Sequence, residues 1–208
     1  MTGTGSLAGI LLGIALGARH AFEPDHLAAV SVLAADGPSV RRGALIGALW
    51  GAGHTLALLA CALAVAAAAA QIPPGLTDAF ELGVAAMLIG LGWRAVRRGR
   101  PQRHVHAARN VSGMRPLIVG AIHGLAGSGA LTALVMTELP STGARLSFML
   151  LFGLGSVSAM TAISGFAGWP LARLARNPAA RRLLSVVVGT MSVALGISWA
   201  SIAVRHFL

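Results

Sequence analysis

Long apolar segments separated by short polar ones dominate the chain. A helix needs about 20 consecutive apolar residues to cross a bilayer, and six segments are long enough to do so. They are residues 7–33, 44–70, 76–96, 116–137, 146–171 and 183–204. Because these segments take up most of the 208 residues, the pattern predicts an all-α, polytopic membrane protein with six transmembrane helices in one domain, residues 1–208.

The composition excludes most other classes of protein. Hydrophobic residues make up 56% of the chain and charged residues 11%, whereas a soluble domain has about 25% charged residues. A soluble enzyme and a disordered chain are therefore both excluded. The formal net charge is +10, but the arginines lie mainly between the apolar segments. This charge therefore indicates membrane orientation rather than nucleic-acid binding.

The arginines lie mostly on one side of the predicted bundle. Thirteen of them fall in the loops after the first, third and fifth crossings: Arg41, Arg42, Arg94, Arg97, Arg98, Arg100, Arg103, Arg109, Arg115, Arg173, Arg176, Arg181 and Arg182. The opposite side has Arg145 and Arg205. The excess of positive charge in cytoplasmic loops predicts that the basic loop at about 97–115 is cytoplasmic and that both termini are outside. The role of His104 and His106 in that loop stays open.

The two halves of the chain resemble each other at an offset of about one hundred residues. Residues 17–21 align with 120–124, 49–54 with 151–156, and 89–93 with 195–199. Each half has three crossings, so the halves insert with opposite orientation. This predicts inverted repeats at about 5–98 and 114–206, with a binding site between them. The alternative is chance similarity between helices rich in glycine and alanine.

Ionisable side chains interrupt the apolar segments at a few places. The densest group is His20-Ala21-Phe22-Glu23-Pro24-Asp25-His26, late in the first crossing. Pro24 removes a backbone donor and should unwind the preceding turn. The unwound turn would let the ionisable groups converge between the repeats. The candidate metal ligands are His20, Asp25, His26, His54 and His123.

Imidazole nitrogen and carboxylate oxygen suit borderline divalent ions such as Ni²⁺, Co²⁺ or Zn²⁺. The structural alternative is that each histidine is hydrogen-bonded within the core. Glu23 either supports the ligands or pairs with Arg19, four residues earlier on the same helical face. Three hydroxyl groups are further candidate partners of the ligands: Thr55, Ser128 and Ser156.

The residues 20–26 resemble the His-x4-Asp-His signature of the nickel/cobalt transporter (NiCoT) family, and Arg19 matches its usual Arg-His-Ala opening. Gly53-His54-Thr55 resembles the family's second motif. The resemblance implies a secondary permease for Ni²⁺, with Co²⁺ as a second ion. It assigns ion binding to four residues: His20, Asp25, His26 and His54.

The chain also departs from the family pattern. Glu23-Pro24 stands where most members have Asp-Ala, and the signature lies in the first of six crossings rather than the second of about eight. The stretch from His123 to Gly129 is similar to that of short six-helix relatives, described as nickel-permease-like or urease-accessory membrane proteins.

The predicted function is secondary transport of Ni²⁺, and of Co²⁺ as a second ion, across the cytoplasmic membrane. The chain is predicted not to be an enzyme and to need no cofactor, because the ion itself is the cargo. The predicted partners are the ion, the lipid bilayer, and either a second copy or a metallochaperone. Two alternatives stay open: a non-transporting accessory or sensor protein that binds metal, and a membrane-embedded metalloenzyme.

Overall fold

The protein is helical throughout the residues that a computed structural model describes, apart from short turns. These residues are 3–34, 39–68, 74–98, 114–125, 139, 141–174 and 177–207. The helices in these ranges, numbered in chain order, are α1 (Gly3–His20), α2 (Pro24–Ala34), α3 (Val40–Ala68), α4 (Pro74–Arg98), α5 (Met114–Leu125), α6 (Thr142–Leu174) and α7 (Pro178–Phe207). The predicted all-α fold agrees with this description.

The first predicted crossing, residues 7–33, is two helices rather than one. α1 ends at His20 and α2 begins at Pro24, with a turn between them. In that turn the amide of Phe22 donates to the Arg19 carbonyl and the amide of Glu23 donates to the His20 carbonyl, at 2.9 and 3.0 Å. Proline is favoured at the first position of a helix because its missing N–H would have no partner there. The break therefore lies where Pro24 predicts it.

Four helices are long and apolar enough to cross a membrane, judged over the described residues: Val40–Val65, Asp78–Arg97, Thr142–Pro170 and Pro178–Arg205. They correspond to the second, third, fifth and sixth predicted crossings. The apolar parts of α1 and α5, Gly9–His20 and Met114–Leu125, are shorter. Helices of that length span roughly 18 Å, less than the ~30 Å of a hydrocarbon core. The rest of the fourth predicted crossing, 126–137, lies outside the described residues.

The long helices extend further than the apolar pattern predicted. α4, α6 and α7 pass both ends of their predicted crossings, and α3 begins four residues earlier than predicted. Polar side chains cap three of these starts: Ser39 Oγ accepts from the amide of Arg42, Ser141 Oγ from that of Ala144, and Asn177 Oδ1 from that of Ala179. The apolar pattern marks the part of a helix that lies in hydrocarbon, whereas these caps mark where the helix begins.

The helices pack closely at small residues, as is typical of membrane bundles. α3 pairs extensively with α6, α4 with α7, and α1 with α6. Glycines further along α3 contact residues earlier in α6: Gly43 contacts Ser164, Gly47 contacts Met160, and Gly51 contacts Val157. α3 and α6 are therefore antiparallel.

α4 and α7 pack in the same way. Gly92 lies against the backbone of Gly189, and Gly196 lies against that of Ala85. Between these contacts the Ser192 hydroxyl donates to the Leu88 carbonyl at 2.8 Å. Because the position on α7 rises as the position on α4 falls, this pair is antiparallel as well.

The short helix α2 contacts all four long helices, α3, α4, α6 and α7. Its residues Ala29, Val30 and Val32 are buried in the main apolar cluster, together with Trp50 and Leu88. This packing places the first turn of α2 inside the protein. That turn contains Asp25 and His26, two of the ligands predicted from the sequence.

Candidate metal centre

The structure brings together the five residues that the sequence predicts as metal ligands. His20 ends α1, Asp25 and His26 lie in the first turn of α2, His54 lies midway along α3, and His123 lies on α5. Asp25, His26, His54 and His123 are each at most 4% exposed. The His26 ring is central, with its centroid 4.3 Å from that of His20, 5.2 Å from that of His54 and 4.2 Å from that of His123.

The Asp25 carboxylate links two of these rings. His26 Nδ1 lies 3.1 Å from Asp25 Oδ1, and His123 Nε2 lies 3.0 Å from Asp25 Oδ2. A carboxylate accepts hydrogen bonds but has no proton to donate, so each imidazole presents an N–H to it. The amide of His26 also donates to Asp25 Oδ1, at 3.0 Å. These contacts fix the orientation of both rings, as carboxylates do for metal-binding histidines.

Four imidazole nitrogens in the cluster are buried and have no hydrogen-bond partner among the described residues. They are His26 Nε2, His54 Nδ1, His54 Nε2 and His123 Nδ1. A buried polar atom without a partner loses its hydration and gains nothing in return, so such atoms need an explanation. A metal ion that accepts one lone pair from each of the three rings would account for three of these nitrogens, and the fourth, on His54, carries the proton of that ring.

The ligand atoms form two groups that could each hold an ion. One group is His20, His26 and His54, and the other is Asp25, His26 and His123. Within each group the ligand atoms lie within 4.8 Å of one another. His26 belongs to both groups.

Glu23 lies at the exposed side of the cluster. Its Oε1 lies 2.9 Å from His20 Nδ1, and the side chains of His20 and Glu23 are 13% and 50% exposed. Glu23 therefore contacts His20 rather than Arg19, the other partner considered from the sequence, whose side chain is exposed. Helical spacing suggested Arg19, but α1 ends at His20 and the turn directs Glu23 to that ring.

Close contact between α3 and α5 brings His54 and His123 into one site. A Cβ at Gly120 would overlap the Trp50 carbonyl, and one at Gly124 would overlap that of His54. Gly53 lies in the same way against the Leu117 carbonyl. Glycine therefore lets the two backbones approach closely enough for the two imidazoles to share a site.

Two aromatic rings that the sequence did not indicate as part of the site lie against it. Trp50 is fully buried, and its ring centroid is 5.2 Å from that of His26 and 5.5 Å from that of His123. The Phe152 centroid is 5.3 Å from that of His20. A signal was present, because Trp50 and Phe152 occupy aligned positions in the two repeats.

The predicted hydroxyl partners of the ligands have other hydrogen bonds. Thr55 Oγ1 donates to the Gly153 carbonyl at 3.4 Å, and Ser156 Oγ donates to the Met160 sulfur at 3.8 Å. Both therefore bond to residues outside the two ligand groups. Ser128, like His104 and His106, lies outside the described residues.

The long apolar helices and the buried cluster define a multi-pass membrane protein with a set of side chains in its interior that could hold a metal ion. The chain is similar to the urease accessory protein UreH of Bacillus sp. (strain TB-90), with 29% identity over 203 residues. The match covers 91% of this chain and 89% of the relative. The relative is named as an accessory protein to an enzyme rather than as an enzyme, in agreement with the prediction that this chain is not one. No family model and no solved structure matches the chain.

Proposed function

We propose that the chain is a membrane permease for a divalent transition-metal ion, Ni²⁺ first and Co²⁺ second. The observation that carries this proposal is the buried cluster of four imidazoles and one carboxylate beside the break between α1 and α2. An ionisable group inside a membrane protein is costly and is retained for a function. Here five such groups lie in contact, and four of their nitrogens lack a hydrogen-bond partner among the described residues. The cluster is therefore suited to binding a cation.

The ligand chemistry and the similar protein together favour nickel. Imidazole suits nickel, copper and zinc, and neither ligand group contains the thiolate that a soft Cu⁺ ion prefers. The similar protein is a urease accessory protein, and urease depends on nickel. A membrane protein that admits nickel would serve such an enzyme. Co²⁺ is the expected second ion, because it is similar to Ni²⁺ in charge, size and ligand preference.

Pairs of helix contacts support the proposal of two inverted repeats. Gly17 on α1 lies against the Phe152 carbonyl on α6, and Gly120 on α5 lies against the Trp50 carbonyl on α3. Gly120 is 103 positions after Gly17, and Phe152 is 102 positions after Trp50. The same contact therefore occurs twice with the two halves of the chain exchanged, as a two-fold relation between the halves requires.

Two further sets of contacts repeat in this way. Gly155 lies against Ile14 as Gly53 lies against Leu117. On α4 and α7, Gly92 lies against Gly189 as Gly196 lies against Ala85, with an offset of 104 for both residues. These contacts pair 89–93 with 193–197 rather than with 195–199. The equivalent helices α3 and α6 run in opposite directions, and so do α4 and α7. Opposite directions are what inverted repeats require.

Alternating access follows as the mechanism. The contact between Asp25 and His123 joins the first half of the chain to the second, so the ion would be held between the repeats. Rocking of one repeat against the other would expose the site to each side of the membrane in turn. The excess of arginine in the loops after the first, third and fifth crossings favours a cytoplasmic position for those loops, with both termini outside.

A second candidate function is suggested by the name of the similar protein. An accessory protein could bind the ion in the membrane and pass it to a metallochaperone without transporting it. The two functions differ in one observable quantity, because both require ion binding whereas the permease alone produces ion flux.

Uptake of ⁶³Ni²⁺ into proteoliposomes tests the proposal. Wild type should show saturable uptake that unlabelled Co²⁺ reduces, and His26→Ala should abolish it, because His26 belongs to both ligand groups. His206→Ala is the matched control, since His206 is not among the ligands that the sequence predicts. Absence of uptake by wild type would refute the permease, and uptake by His26→Ala equal to that of wild type would refute the assignment of the site. Bound nickel without uptake in wild type would favour the accessory function.

A further inference from the structure

We propose that the ion occupies two adjacent positions in succession and that the His26 ring serves both. The outer position, named for its partly exposed His20 ring, is formed by His20, His26 and His54. The inner position, in which every residue is buried, is formed by Asp25, His26 and His123. This inference rests on the proposed function, because it divides the path of the transported ion into two steps.

The central place of His26 supports two positions rather than one. Its ring centroid is 4.3 Å from that of His20 and 4.2 Å from that of His123. His26 Nδ1 lies 3.1 Å from Asp25 Oδ1, whereas His26 Nε2 has no hydrogen-bond partner among the described residues. Nδ1 therefore serves the inner position and Nε2 the outer one. A neutral imidazole serves either position by keeping its proton on the other nitrogen.

The outer position is ready for an ion. Within the part of the chain that the structure describes, His26 Nε2 and both nitrogens of His54 have no hydrogen-bond partner, so each of these two rings can offer one nitrogen to an ion. His20 uses Nδ1 for its contact with Glu23, leaving Nε2 for an ion. His20 is 13% exposed and Glu23 is 50% exposed. A half-exposed carboxylate beside a partly exposed imidazole attracts cations, so the outer position is the one that the ion reaches first.

The inner position is closed by its own hydrogen bonds. Both oxygens of Asp25 accept from imidazoles, with His26 Nδ1 at 3.1 Å and His123 Nε2 at 3.0 Å. The three residues are at most 4% exposed. An ion that enters must replace these contacts, but it gains an anionic ligand that the outer position lacks. Because the two positions share His26 and two divalent ions repel strongly at such short range, one ion at a time occupies the pair.

Equilibrium binding of Co²⁺ to the purified full chain in detergent separates two positions from one composite site. The variants are His20→Asn, His123→Gln and the double variant. Their amide groups can still donate to Glu23 and Asp25 but offer no imidazole nitrogen. With two positions, the Kd of each single variant for Co²⁺ should rise by less than about tenfold over that of wild type, because the ion moves to the remaining position. The double variant should bind more than about a hundredfold more weakly.

Flux provides the second readout. Each single variant should bind Co²⁺ and yet fail to transport ⁶³Ni²⁺, because an ion that passes through both positions needs both. His206→Asn is the control for binding and flux. Elution of each variant as a single species in size-exclusion chromatography checks that it is folded. If each single variant lost as much affinity as the double variant, or if either one transported normally, two positions would be ruled out while the permease would stand. If wild type neither bound nor transported an ion, both proposals would fail.

Discussion

His123 Nε2 donates a hydrogen bond to Asp25 Oδ2 over 3.0 Å, although the two residues are 98 positions apart in the chain. Asp25 lies where α1 gives way to α2, and His123 lies on α5. The contact therefore links two helices from different halves of the chain at the centre of the candidate site. Asp25 also accepts from His26, so one carboxylate sets the orientation of two imidazoles.

Asp25→Asn tests the role of this carboxylate. Asparagine has the same shape but only one acceptor oxygen and no charge, so one imidazole N–H loses its partner. Because Asp25 also orients His26, which belongs to both ligand groups, nickel affinity should fall by about 10- to 100-fold, as for other residues that orient ligands, and isothermal titration in detergent measures it. Asp78→Asn is the matched control, because Asp78 lies on α4 and belongs to neither ligand group. An Asp25→Asn variant with wild-type affinity would contradict the assignment.

Gly120→Ala tests the close contact between α3 and α5. The added methyl group would overlap the Trp50 carbonyl, so the helices must separate and His123 must move away from His54. We expect a loss of roughly 1–3 kcal/mol in the free energy of unfolding, together with weaker nickel binding. Thermal unfolding in detergent measures the first effect.

Gly90→Ala is the control for this substitution. A Cβ at Gly90 meets nothing within 4 Å, and alanine is the better helix former. Its stability should be equal to or slightly above that of wild type. Equal loss of stability in the two variants would show that the contact at Gly120 has no special importance.

Trp50 should report the arrival of the ion. Its ring is buried 5.2 Å from the His26 ring, and Ni²⁺ and Co²⁺ quench nearby tryptophan fluorescence. Titration of wild type with Ni²⁺ should therefore reduce the emission, and Trp50→Phe should remove most of that decrease while still binding nickel. Trp93→Phe, at a position 56% exposed, should leave it unchanged. The reverse pattern would place the ion elsewhere.

Nickel binding should weaken as the pH falls. An imidazole must be free of its second proton to bind a metal, so protons compete with the ion. Equilibrium dialysis at a series of pH values, continued well below the ordinary histidine pKa of about 6.5, should show Ni²⁺ binding that decreases as the pH falls. Binding that was unchanged over the whole series would argue against imidazole ligands.

The sequence predicts much of the site because ionisable residues are rare in its apolar segments. Their position within those segments singled out the five residues that the structure brings together, and their role as ligands stays a prediction. Pro24 also predicted the break between α1 and α2, because the backbone effect of proline is local. Helix starts were less predictable, since the caps at Ser39, Ser141 and Asn177 lie outside the apolar pattern.

The details of the site depend on contacts between helices, which spacing along the chain does not determine. Helical spacing suggested Arg19 as one partner of Glu23, but the turn after α1 directs Glu23 to His20. Likewise, no pattern in the chain indicates that His26 lies between two ligand groups. These relationships follow from the way in which α2, α3 and α5 pack.

X-ray absorption at the nickel edge tests most directly whether the ion is held by this cluster. The spectrum of the full chain loaded with one Ni²⁺ should show nitrogen and oxygen ligands with the outer-shell scattering of imidazole, and no sulfur. His26→Ala should reduce the imidazole contribution, because His26 belongs to both ligand groups, and His206→Ala should leave it unchanged. A nickel ion with sulfur ligands, or with an imidazole contribution that His26→Ala does not change, would contradict the account.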